Sequence, residues 1–176
     1  SGTISFPDPR LAAVGTRILA EAHFAKDTVS ATNGMDAAPE DYHAHCIALG
    51  VPEGGKDYVL GDTFPHEANL DALKSVSFSK GCFVGQEVVS RMQHRGTARK
   101  RIVIIEADAP LQSGADITAG AASIGTVGSV AGNQGLALLR LDRANEAEDK
   151  GHALTAGGLP VRMRVPGYLT EAAGTP

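Results

Sequence analysis

The chain has 176 residues, 43% of them hydrophobic and 20% charged, with a formal net charge of −4 and a pI of about 5.8. These values suit one large globular domain or two small ones, and they exclude a protein that coats nucleic acid through bulk positive charge. No apolar run approaches the roughly 18 residues of a membrane span, and Cys46 and Cys82 alone do not make a disulfide framework, so a reducing compartment and no membrane partner are expected.

The opening SGTISFPDPR lacks a basic start and an apolar core, so it is not read as a secretory signal; Ser1-Gly2 reads as a tag scar or a cut end. Pro9 to Glu21 fits either a helical face through Leu11, Val14 and Ile18 or a strand, and the strand is preferred. Lys26 to Pro39 is a polar stretch turning at Asn33-Gly34. APEDYHAHCIALG predicts a helix. Pro39, Glu40 and Asp41 suit its first turn, and Gly50 with Pro52 beyond it closes the end. The next stretch is rich in glycine and proline, with a short helical turn expected at Leu70 to Leu73.

Composition changes at Arg101. RIVIIEA, QGLALLRLD and LPVRMRVPGY read as strands, the last alternating Val161, Met163 and Val165 against Arg162 and Arg164. GADITAGAASIGTVGSVAG holds short alternating runs separated by glycine, and RANEAEDKGH reads as a polar surface loop. The pattern indicates a small antiparallel barrel or sandwich. The pattern breaks at Gly96, and a boundary near Gly96 to Ala98 divides residues 1–97 from 98–176.

The stretch SKGCFVGQEVVSR, Ser79 to Arg91, sets a thiol beside a lysine and between two glycines. A helix starting near Cys82, turning about 100° per residue, would place Cys82, Gly85, Gln86, Val89 and Gln93 on one face. Val84, Val88 and Met92 would then face the core. Gly81 and Gly85 would let a ligand approach closely, and Lys80 with the helix N-terminus would favour thiolate. The competing reading is a buried structural cysteine. RMQHRGTARKR gathers Arg91, Arg95, Arg99, Lys100 and Arg101. It suits the carboxylates of an anionic ligand, RNA phosphates, or a solvated hinge. In HAHC, His43 and His45 point about 200° apart on a helix and cannot share an ion; His43 and Cys46 alone are too few for structural zinc, so no metal ligands are expected.

FPHEANLDALKSVSFSKGCFVGQEVVSRMQHRGTARKR resembles the YgfZ family of folate-binding proteins, relatives of the aminomethyltransferase of glycine cleavage. Lys80 to Glu87 match its K-G-C-[FY]-x-G-Q-E hallmark at every fixed position. DPRLAAVGTRIL and IGTVGSVAGNQGLALLRLDRA extend the likeness more weakly. The resemblance implies an α+β fold in which residues 1–97 are the C-terminal portion of an aminomethyltransferase-like folate-binding domain. Residues 98–176 would be a small antiparallel Greek-key β-barrel, and roughly the first hundred residues of a typical member would be absent.

By the same resemblance, Lys80 and Cys82 carry the catalytic role. Glu67 meets the pterin ring of tetrahydrofolate or a derivative, Arg91 its glutamate tail, and Gly81, Gly85, Gln86 and Glu87 complete the site. The implied function is a folate-binding accessory in iron–sulfur cluster assembly or repair, serving clients that include radical enzymes of tRNA modification. Its partners would be iron–sulfur clients or assembly factors. Its place would be the bacterial cytoplasm or, in a eukaryote, the mitochondrial matrix. The alternatives are a folate-dependent aminomethyl transferase, and a binding module touching tRNA weakly through residues 91–101.

Overall fold

The structure, a computed structural model, describes residues 3–82, 84–95 and 98–173. Gly96 and Thr97, the pattern break and most of the expected boundary, lie outside them, as do the initial Ser1-Gly2 and the motif's Phe83.

β1 (Ile4–Pro7) and β2 (Thr16–Leu19) pair as an antiparallel ribbon. The expected strand over Pro9 to Glu21 is thus confined to its second half. The cause is the buried Asp8 carboxylate, which accepts from Arg10 N (2.9 Å), Arg10 Nε (3.0 Å) and Arg17 Nε (2.7 Å). These bonds curl the chain through a 3₁₀ turn at Ala12–Val14 before β2 begins. The polar stretch from Lys26 contains a helix that its polarity concealed, α1 (Ala25–Ala31), followed by Asn33 at φ 53°.

α2 (Pro39–Leu49) starts at the expected proline, and Asp41 Oδ2 accepts from Ala38 N at 3.0 Å. It ends at Gly50, φ 76°, where a Cβ would lie 2.5 Å from Pro166 Cγ. Both the left-handed backbone and the close approach require glycine there. The expected helical turn at Leu70 to Leu73 is a series of hydrogen-bonded turns instead. Asn69 at φ 60° and Lys74 at φ 56° interrupt any helix. α3 (Gln86–Arg95) follows the motif loop.

β3 (Lys100–Ala107), β4 (Asp116–Ala119), β5 (Ala122–Ala131), β6 (Gln134–Arg140), β7 (Leu154–Ala156) and β8 (Leu159–Arg164) close a barrel in the order β3-β6-β5-β4-β7-β8, all pairs antiparallel. β3 lies beside β6 rather than β4, which is the Greek-key permutation. Closure removes the sheet edges. The expected surface loop RANEAEDKGH is instead largely a helix, α4 (Leu141–Asp149). Ala144 and Ala147 share one of its faces and are buried in the barrel's own core.

Ile102 to Ile105 are buried without alternation because β3 is covered on both sides. Val103 and Ile105 face the interior with Ile117 and Leu139. Ile102 and Ile104 face outward and meet Ile47 of α2, Ala68 and Leu136. The two sequence halves therefore share a core across the expected boundary. A short helix, α5 (Gly167–Ala173), brings Tyr168 to Cys46, Val51 and Leu73 in a third cluster.

Candidate functional site

The motif does not begin a helix at its cysteine. Gly81 (φ 87°) and Gly85 (φ 85°) both adopt the left-handed region, so Cys82 lies on an irregular loop and α3 starts four positions later, at Gln86. The helix dipole acts over the first turn and so falls on Gln86 to Val88. Cys82 is exposed and Cys46 is buried. Lys80 lies exposed on the same loop.

Val84 and Val88 do not enter a core, contrary to the expectation built on a helix starting at Cys82. Val84 is fully exposed and Val88 is 46% exposed. Val84 precedes the helix, and Val88 with Met92 lines an open cleft instead of a core. The anchor of α3 is Gln93, whose Oε1 accepts from Nε2–H of the buried His66 at 3.1 Å.

Two cavities flank α3. One, of about 500 Å³, lies toward the start of β3 and is lined by Phe64, Val88 and Met92 with Glu67, Arg91, Arg99, Lys100 and Arg140. The other, of about 240 Å³, lies on the Gln86, Val89 and Gln93 side and is also lined by Phe78 and Gly81. The expected site residues therefore do not converge on one pocket. Glu67 and Arg91 line the first cavity, Gly81 and Gln86 the second. Glu87 is exposed and pairs with Arg91 at 3.1 Å. Cys82 and Gly85 stand on the connecting loop and line neither cavity.

The first cavity is electropositive. Arg140 is held by Asp142 at 2.6 Å, which raises the arginine's pKa and lowers that of the aspartate. Arg99 and Lys100 are exposed along the same wall. Glu67 is half-buried, and its Oε2 accepts from Phe64 N at 3.2 Å. Arg101 has a different task. Its Nη1 donates to His66 O and to Asp71 Oδ1, both at 2.6 Å, and its Nη2 to Asp71 Oδ2 at 2.9 Å. It fastens the 66–71 turn to the barrel and does not serve the cleft. The side chain of Arg95 lies outside the described residues.

The HAHC side chains diverge. His45 Nε2 sits 3.0 Å from Ala13 O, and His43 Nδ1 is 3.8 Å from Glu53. Among the described residues no three metal-capable side chains gather, and no helix is long and apolar enough to cross a membrane.

Sequence reasoning missed His66, Asn69 and Asp71 as the support of this region. Asn69 Nδ2 donates to Ile102 O at 2.7 Å and to Tyr168 Oη at 3.1 Å. Their signal was PHEANLD itself, where polar His66, Asn69 and Asp71 all lie within three residues of buried Ala68.

Residues 99–171 match the family described as CAF17, C-terminal β-barrel domain. That match spans the barrel strands β3 to β8 and the intervening α4. Relatives reach further along the chain. It is 37% identical over 145 residues to the human mitochondrial iron–sulfur cluster assembly factor IBA57, covering 79% of this chain and 40% of that protein. It is 41% identical over 98 residues to the Neurospora crassa IBA57 homologue, covering 55% of this chain and 22% of that protein. It is 33% identical over 173 residues to the Chaetomium globosum homologue, covering 79% and 38%. The chain spans at most about two-fifths of the length of these relatives. Their names are those of IBA57 factors, which narrows the resemblance toward the CAF17/IBA57 branch and away from YgfZ itself.

Proposed function

We propose that the protein is an accessory factor in iron–sulfur cluster assembly or repair, acting through Cys82. The observation that carries this reading is the solvent-exposed thiol held between two left-handed glycines at the head of α3. It occurs in a chain whose relatives are named iron–sulfur cluster assembly factors.

The chemistry of the thiol limits what it does. A [2Fe–2S] cluster takes four protein ligands. Among the described residues the other cysteine is buried. One exposed thiolate therefore holds a cluster only jointly, with the remaining ligands from a carrier or client. That suits hand-over rather than storage. The lack of Cβ at Gly81 and Gly85 leaves open space around the loop, so a partner's backbone can approach the sulfur. Lys80 adds positive charge beside an anionic cluster.

The resemblance to folate-binding proteins extends this reading to residues 1–97 as the C-terminal portion of an aminomethyltransferase-like domain. The cationic cleft fits tetrahydrofolate or a derivative. Arg91, Arg99 and Lys100 suit the tail carboxylates, and Glu67 accepts hydrogen bonds from a ring's amino and N–H groups. When bound, the folate would supply one-carbon or redox chemistry. Lys80, Gly81, Gly85, Gln86 and Glu87 shape the loop and helix head beside it. Aminomethyl transfer is less well supported, since Glu67 is the one carboxylate among the described residues lining the cleft and transfer needs a second acid–base group placed at the reacting amine. The same cations are the proposed seat of weak tRNA contact, which would fall steeply with salt. The relatives' names point to mitochondria for a eukaryotic version, and we assign it to the matrix; a bacterial one would be cytoplasmic.

The test is replacement of the native gene by Cys82→Ser. Activity of client iron–sulfur enzymes should fall severalfold while the circular dichroism of the purified variant is unchanged. Unaltered client activity would remove the thiol from the mechanism.

A further inference from the structure

The smaller cavity beside α3 differs from the cationic cleft in having no charged side chain among its described lining residues. Val89 and the ring of Phe78 form apolar walls, and Ser77, Ser90 and Gln93 supply polar groups. Gln93 is not free to rotate. Its carboxamide oxygen can only accept, so the 3.1 Å contact with His66 requires the proton on His66 Nε2. His66 is 2% exposed, and its Nδ1 is left buried without a partner among the described residues. The imidazole is fixed from behind. Arg101 binds the His66 carbonyl at 2.6 Å, and the Asp71 carboxylate, itself paired with Arg101, stands 3.9 Å from Nε2. Phe78, the cavity wall, lies 6.1 Å from the His66 ring. With its oxygen committed to His66, Gln93 presents its amide N–H₂, which no described residue engages.

We infer that this cavity is a second ligand site, separate from the cationic cleft, for an uncharged planar ring bearing a carbonyl acceptor. Gln93 donates to the carbonyl, and His66 is the positioning residue that fixes which end of the amide faces the ligand. The volume of about 240 Å³ accommodates one or two fused rings, and an aromatic wall favours a flat ligand. A charged ligand would lose its hydration and meet no counter-charge among the described lining residues. Small pockets of this kind are apolar with a few fixed polar groups.

The inference does not depend on the cysteine or on folate, and its test is separate from theirs. Hypoxanthine, a neutral fused-ring lactam, is titrated into the ¹⁵N-labelled chain while the Gln93 side-chain amide signal is followed. A saturable shift is expected, with no such shift for benzoate. Gln93→Glu retains the acceptor for His66 and removes the donor, so affinity should fall about tenfold or more. His66→Phe leaves the described lining residues unchanged and frees the amide, and should weaken binding severalfold. Melting temperatures of both variants are measured in parallel, and Gln93→Glu, on an exposed residue, should melt with the parent. No saturable shift with hypoxanthine, or equal affinity in a folded Gln93→Glu protein, would overturn the assignment.

Discussion

Tyr168 Oη donates to the carbonyl of Gly50 at 2.5 Å, joining α5 to the end of α2 across 118 residues of sequence. Asn69 Nδ2 donates to the same hydroxyl at 3.1 Å, so the tyrosine links the helix end to the turn behind α3. Burial pushes the phenol up to about 12, with the Asn69 donor acting in the opposite direction. The folded state thus keeps its proton above pH 10, the ordinary phenol range, where the unfolded chain releases it. Stability from this group is complete below about pH 10 and falls as pH rises toward about 12. Urea melts of the parent should show that decline. Tyr168→Phe should show less of it, and should be about 1–3 kcal/mol less stable at pH 7 because the Gly50 carbonyl loses its donor.

At acid pH the Asp8 carboxyl matters. Arg10 hydrogen bonds, and then those of Arg17, hold buried Asp8 well below the usual carboxylate range, although burial works against them. A depressed value means stability present above about pH 4 and lost as pH falls through the folded-state value. Asp8→Asn should loosen the β1–β2 ribbon at neutral pH and flatten its acid dependence. Hydrogen exchange of Ile18 and Leu19 amides reads this directly, and unchanged exchange would contradict it.

Asp57 ties the 53–58 turn to the bulged part of β5. Its carboxylate accepts from Glu53 N at 2.7 Å, Ser129 N at 2.9 Å and the Ser129 hydroxyl. Asp57→Ala leaves those donors unpaired, at a cost of about 1–3 kcal/mol for each buried one. A fall of about 2–4 kcal/mol in unfolding free energy is expected by denaturant titration.

Gly85 controls how the cysteine is presented. A Cβ added there would meet no atom within 4 Å, yet φ is 85°, so Gly85→Ala costs about 1–2 kcal/mol through backbone conformation alone. The melting temperature should fall by about 2–4 °C for each kcal/mol of that cost. The alkylation rate of Cys82 by iodoacetamide should change at least twofold; an unchanged rate would mean the loop does not depend on this glycine.

The barrel was legible in sequence because β-branched runs, alternation at Val161 and Met163, and glycine turns act locally. α4 was not, since its Ala144 and Ala147 stripe carries too little hydrophobicity to stand out among charges. The head of α3 was misplaced because glycine spacing does not reveal φ, and Gly81 and Gly85 turn out to hold off the helix rather than begin it. The residues of the candidate site were nearly all in view. Helical spacing separated the Gln86, Val89 and Gln93 face from the Val88 and Met92 face, but not the His66–Gln93 contact that anchors it, which joins residues 27 apart in sequence.

The central claim is that Cys82 acts directly on iron–sulfur clusters. Its most direct test is reconstitution. A cluster-loaded carrier and an apo client enzyme are mixed with the protein or with Cys82→Ala, and the initial rate of client activation is recorded. A rate increase with the parent that disappears in a correctly folded Cys82→Ala protein is expected, whereas equal stimulation by both would contradict the assignment.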